Sequence, residues 1–158
     1  MVLTALRIVH VLAASIWVGG TVALVVVGVP AIRRLEGEAR ATAMRALGRR
    51  WRPLGWSAMG AAIVSGLLLA DRHGALNRDA LDSELDRWLI AKSALVVALV
   101  AGALVHDYVL GPRLQRQLRE CDPEGPATRR RLVLVGWANL ALTLAVPILG
   151  VVVLGLVD

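Results

Sequence analysis

The sequence predicts an all-α polytopic membrane protein: four transmembrane helices in an antiparallel bundle, both termini on the outer side. Three observations carry that prediction. Hydrophobic residues make up 57% of the 158 residues, above the ~45–50% usual for soluble domains. They are gathered into four blocks, each long enough for the ~17–25 residues that cross a bilayer core. The charges lie between the blocks and are unequally shared, which sets the orientation.

The first block holds the stretch Ile8 to Val29, IVHVLAASIWVGGTVALVVVGV, whose only titratable group is His10. It exceeds the ~7–15-residue core of a cleaved signal peptide, and no A-x-A-like site follows it. It reads as a transmembrane helix over about residues 3–29. The second helix is expected over about 53–70, with Pro53 suited to a first helical position. The third is expected over about 88–106 and contains Lys92. The fourth, about 132–157, carries no charge and is long enough to tilt. No length remains for a separate soluble domain, so residues 1–158 read as one four-helix domain.

Arg33 to Arg52 holds seven arginines and two glutamates. Asp71 to Arg87 holds three arginines and five acids, and Asp107 to Arg131 holds six arginines and four acids. The positive-inside rule puts the first and third loops in the cytoplasm. The net charge of +6 is thereby an orientation signal, and no nucleic-acid partner is implied. Trp51, Trp56 and Tyr108 are expected near the inner interface and Trp88 near the outer one, as aromatic belts. Arg40 to Arg50 can continue as a basic helix on the inner surface. Asp122 to Pro126 (DPEGP) is turn chemistry. Cys121 is the only cysteine, so no internal disulfide forms.

Packing faces are visible. In helix two, Ser57, Ala61 and Ser65 recur at intervals of four, beside Ala62 and Gly66. Small residues so spaced let backbones approach closely in lipid. In helix four, Asn139, Thr143 and Gly150 fall close to one face, and Pro147 predicts a kink. Their simplest role is interhelical glue.

The polar groups inside the membrane are the candidate functional residues. His10 shares a helix face with Ala13, Ala14, Trp17 and Thr21. An ionisable residue at such depth is costly, must face protein, water or a ligand, and marks a functional site by default. With the amino terminus outside, His10 lies roughly 10 Å below the outer surface and Lys92 roughly 6 Å below it. The two can share an outer-side layer as cofactor-binding residues, with Trp17 as an aromatic wall and His10 as the metal ligand. Lys92 can alternatively snorkel to the headgroups, and His10 can be a hydrogen-bonded structural residue. His106 lies some ~21 Å deeper than Lys92, beside Asp107, where an interfacial pair is the simpler reading. It is therefore not expected to share an iron or copper with His10. His73 falls in the outer loop with Asp71. Copper(I) favours thiolates and thioethers, and only Met59 lies at mid-membrane. Haem iron needs one or two axial ligands, commonly His. No Ser-His-Asp, P-loop, zinc or dinucleotide motif is present.

The stretch His10 to Gly20, HVLAASIWVGG, resembles the first helix of the copper-resistance D (CopD) superfamily, where His-x6-Trp-x-Gly-Gly recurs. IVSGLLL at Ile63 to Leu69 resembles the end of that family's following helix, and WLIAKSALVV at Trp88 to Val97 resembles its lysine-bearing helix. The resemblance implies copper transport or tolerance in the bacterial inner membrane, often with a periplasmic copper-binding protein as partner. Family members are often longer, so this chain would be a minimal, four-helix version. A related group, the HemJ-type protoporphyrinogen oxidases, is similar in its four helices, its histidine in helix one and its lysine in helix three. That likeness implies haem b at His10 and Lys92, with porphyrinogen oxidation or electron transfer. The chain departs from it at Trp17-Val18-Gly19-Gly20, and Asn139 lacks the Glu-Val-Pro or Glu-Ile-Pro that tends to follow. Three readings stand: copper handling, a haem b protein, and a metal-free structural or assembly subunit of a larger membrane complex. Enzyme activity is expected only under the second.

Overall fold

The computed structural model describes residues 1–72 and 84–155. His73 and the rest of the second loop, and the last three residues, lie outside the described residues. Four long helices account for nearly all of the described chain, with no strand among the described residues. We label them α1 (Val2–Arg33), α2 (Gly37–Arg72), α3 (84–119) and α4 (Gly125–Gly155). All four are long and apolar enough to cross a membrane, so the fold is the expected all-α polytopic one. The chain divides into two compact units, Met1–Leu81 and Asp82–Asp158. Each unit is a helical hairpin.

In the first hairpin, His10 faces Gly66, Gly20 faces Trp51 and Gly28 faces Leu47. The partners descend as α1 ascends, so the two helices are antiparallel. In the second, Lys92 faces Gly150, Gly102 faces Asn139 and His106 faces Gly136. The second pair is antiparallel by the same test.

The helices run past the expected spans. α2 begins at Gly37 and not at Pro53, which sits inside it. Pro53 removes the bond to the Arg49 carbonyl. That loss is tolerated because this turn belongs to the arginine-rich stretch, where the carbonyl meets water or headgroups. The basic segment Arg40 to Arg50 is thus a rigid extension of the membrane helix. α4 likewise begins at Gly125, before its arginines, and Pro147 lies inside it as expected.

Both hairpins contain a wide turn of which the apolar spans give no sign. α1 is α-helical over Val2–Ala23, passes through a π-turn at Leu24–Gly28 and regains α-geometry at Val29–Arg33. α3 does the same, with a π-turn at Val105–Leu110 before Gly111–Arg119. The amide of Val29 donates to the Leu24 carbonyl, and that of Gly111 to the His106 carbonyl. In each case the donor immediately precedes a proline, Pro30 or Pro112. A proline ring clashes with the carbonyl four residues back, and widening the turn by one residue relieves that clash.

The inter-helix turns are built differently. Gly37 adopts φ +51° as α2 begins, a conformation that glycine takes without penalty. At the end of α3 the left-handed position is held by Cys121 at φ 52°. Asp122 N donates to Gln117 O at 2.9 Å, the closing bond of a Schellman motif. Asp122 Oδ1 then accepts from Glu124 N at 2.8 Å, and Arg113 pairs with Glu124 at 2.9 Å. The DPEGP segment is therefore the expected turn.

Candidate functional site

The His10 face of α1 packs against α2. His10 Nδ1 lies 2.8 Å from the Ala62 carbonyl and 3.2 Å from Ser65 Oγ. Ser65 Oγ donates to the Ala61 carbonyl at 2.6 Å. The Ala62 carbonyl is an acceptor only, so Nδ1 carries the proton and donates to it. Nε2 then carries the ring's lone pair, the tautomer that binds a metal. A methyl at position 66 would stand 3.0 Å from His10 Cε1, so Gly66 gives the ring its space. Ser65 is buried on the same seam.

Two turns further along α1, Trp17 stacks on Trp51 with centroids 6.2 Å apart and planes at 29°. A methyl at Gly55 would meet Trp17 Cζ3 and Trp51 Cε2, both at 3.1 Å, and one at Gly20 would overlap the Trp51 ring. Trp51 is half-buried between the two helices, packed on Trp17 and over Gly20. The missing side chain at Gly20 opens a slot for its ring, and lipid packing rewards such close approach. The pattern His-x6-Trp-x2-Gly thus records three contacts with α2. Gly19 faces open space. Trp17 Nε1 and Thr21 Oγ1 are buried without a hydrogen-bond partner.

The expected packing face of α2 holds at Ser65, Ala62 and Gly66, which meet His10, and fails at Ser57 and Ala61. Ser57 and Ala61 are exposed, while Gly55, Ala58, Met59 and Ser65 are buried. Contact with α1 follows the offsets three, four and seven that connect Met59, Ala62 and Gly66. Met59 is 4% exposed and falls in register between the Trp17 level at Gly55 and the His10 level at Ala62 to Gly66. Ala13, 7% exposed, lies opposite on α1. The sequence marks Met59 as the one mid-membrane methionine, and its spacing of seven from Gly66 puts it on the helix face that meets His10.

Lys92 belongs to the second hairpin. Its Nζ lies 3.3 Å from where a Gly150 methyl would stand, so the amine rests against α4. Asn139 fills the notch at Gly102, and Thr143 is buried at 1% exposure. His106 Nδ1 pairs with Asp107 Oδ1 at 2.9 Å, and both are part-buried. Asn139, Thr143 and Gly150 thus share the face that packs on α3, as expected. Among the described residues no group of three or more His, Cys, Asp or Glu side chains comes together.

Compared with known families, residues 45–155 match the model of one described as Copper resistance protein D. Neither the curated proteins nor the solved structures compared with the chain include a match.

Proposed function

The chain belongs to the copper resistance protein D family, and from that premise we propose that it carries copper(I) through the membrane along the seam of its first hairpin. The family match gives a multi-pass membrane protein with a connection to copper. The observation that carries the finer reading is the register of His10 and Met59 on one buried seam. Imidazole and thioether are the two neutral side chains that suit copper(I). Both ligands are neutral, so each costs less to hold in hydrocarbon than a charged ligand would. The copper ion is substrate, not a resident cofactor. His10 receives it through Nε2, while the Nδ1 hydrogen bond to the Ala62 carbonyl fixes the ring. Met59 takes it over one to two turns deeper along α2. Trp17 borders the far side of the Met59 level and, stacked on Trp51, holds the two helices at fixed spacing. Two weak ligands in sequence release their ion more readily than one closed cage, as a carrier requires.

The same reading places the protein in a bacterial inner membrane, with both termini and the second loop outside, where a periplasmic copper-binding protein could deliver to His10. A periplasm-specific reporter fused after Asp158 is expected to be active, and one fused within residues 37–46 inactive. The haem b reading rests on the HemJ likeness and on His10 and Lys92 as the residues that would hold the haem, and no observation in either hairpin favours it over copper.

The deciding experiment is a copper(I) titration of the purified protein in nanodiscs against a chromophoric competitor. Wild type is expected to bind, His10→Ala to lose binding, and Met59→Leu to bind about tenfold more weakly, ~1.4 kcal/mol. Helical content should be unchanged in both variants. A wild type that binds no copper(I), or a His10→Ala protein that binds it equally, sinks the reading. A Soret band travelling with the purified protein would turn it to haem.

A further inference from the structure

We propose that the seam of the second hairpin is a proton path. It does not depend on the copper reading, because every residue in it belongs to α3 and α4. The seam carries polar groups along most of the membrane depth. Lys92 and Asp107 are fifteen positions apart on α3, roughly 22 Å at ~1.5 Å per residue, in a hydrocarbon core of ~30 Å. Between them α4 contributes Thr143 and Asn139, one helical turn apart and on the face that meets α3. Asn139 lies over Gly102, four residues before His106 on α3, and His106 faces Gly136. His106 Nδ1 is 2.9 Å from Asp107 Oδ1.

Thr143 is the decisive residue. It is 1% exposed, and its Oγ1 is buried with no hydrogen-bond partner. A buried hydroxyl without a partner costs about 1–3 kcal/mol in a protein interior. Valine has the same shape and avoids that cost, so glue alone does not account for a hydroxyl here. Four residues on, Pro147 has no N–H to donate to the Thr143 carbonyl. A donor, an acceptor and a backbone carbonyl with its helical bond removed therefore coincide at one level. That set is suited to hold water, which needs two to four polar partners. Chains of ionisable side chains within a membrane helix pair mark proton relays. Helix α4 brings no titratable side chain to the seam between Arg131 and Gly155, so the titratable members are Lys92, His106 and Asp107.

The transfer balances as a relay. The Lys92 ammonium gives a proton to water held by the Thr143 carbonyl and hydroxyl, and its amine regains one from the outer side. Asn139 orients the water without exchanging protons. His106 Nε2 takes the proton up, and the Nδ1 proton leaves through Asp107 to the other surface. The axial step from the Gly150 level to Thr143 is roughly 10 Å, a span for two or three waters.

The test is proton flux into lipid vesicles containing the protein and a trapped pH dye, driven by a potassium diffusion potential, with and without copper(I). Wild-type vesicles are expected to acidify about tenfold faster than empty ones. Thr143→Val and Asn139→Leu should each cut the rate about fivefold or more, because each breaks the water chain. Trp137→Phe, on the exposed side of the same helix, should leave it unchanged. Circular dichroism and a melting curve check that each variant folds. Wild-type flux no faster than empty vesicles under both conditions overturns the proposal. So does wild-type flux in the folded Thr143→Val and Asn139→Leu proteins.

Discussion

The two hairpins share a plan and differ in what fills the space between their helices. Each begins with a long helix that widens into a π-turn before a proline, then turns back into a second proline-bearing helix. In the first, glycines admit rings: Gly66 makes room for His10, Gly20 for Trp51 and Gly55 for the Trp17–Trp51 stack. In the second, glycines admit polar chains: Gly102 takes the Asn139 amide, Gly136 the edge of His106 and Gly150 the Lys92 amine. Rings have few rotamers and hold a fixed geometry, which suits ligands for a soft ion. Amides, hydroxyls and amines reorient, which suits proton transfer. Under the two proposals, one helical design serves two chemistries through the residue opposite each glycine.

The largest expected contrast is functional. His106→Gln should leave copper(I) binding within error of wild type, while His10→Ala removes it. Loss of copper in the His106 variant would show that the second hairpin handles metal too. Next comes the response to a methyl group. Gly20→Ala forces the Trp51 indole out of a stacked core, and overpacking of that kind costs about 3 kcal/mol. Gly102→Ala meets the Asn139 amide, which can swing to a second rotamer, and should cost about 1 kcal/mol. Thermal melts in one detergent compare them, and equal losses would remove the distinction between rigid and adaptable seams.

The inter-helix turns give a smaller contrast of opposite sign. Gly37→Ala places a side chain at φ +51° and should destabilise by about 1 kcal/mol. Cys121→Gly relieves the left-handed strain at φ 52° and should stabilise by about 1 kcal/mol. A Cys121→Gly protein that melts earlier would mean the thiol makes a contact that matters. Smallest of all is Gly136→Ala. Its methyl would stand 3.7 Å from His106 Nε2, ordinary contact, so its melting point should shift by no more than about 0.5 kcal/mol allows.

Much of the fold was legible in the chain itself, because bilayer crossing depends on local properties. Uninterrupted apolar length defined four spans, and the short DPEGP segment defined a turn. The polar residues at depth, His10, Lys92, Asn139 and Thr143, stood out because hydrocarbon makes each one expensive. Helix boundaries were less legible. Beyond the apolar blocks nothing local ends a helix at Pro53 or His106, and the π-turns arise from the joint geometry of a proline and the preceding turn. What only the tertiary structure decided was which partner each residue meets. That Trp51 stacks on Trp17 and fills the slot at Gly20 is visible in neither helix alone. Ser57, Ala61 and Ser65 have the spacing of a packing face, yet the rotation of α2 buries only Ser65 of the three and turns Ala58 and Met59 inward. That rotation is set by fitting His10, Trp17 and Trp51 against three glycines at once, and no single helix carries that information.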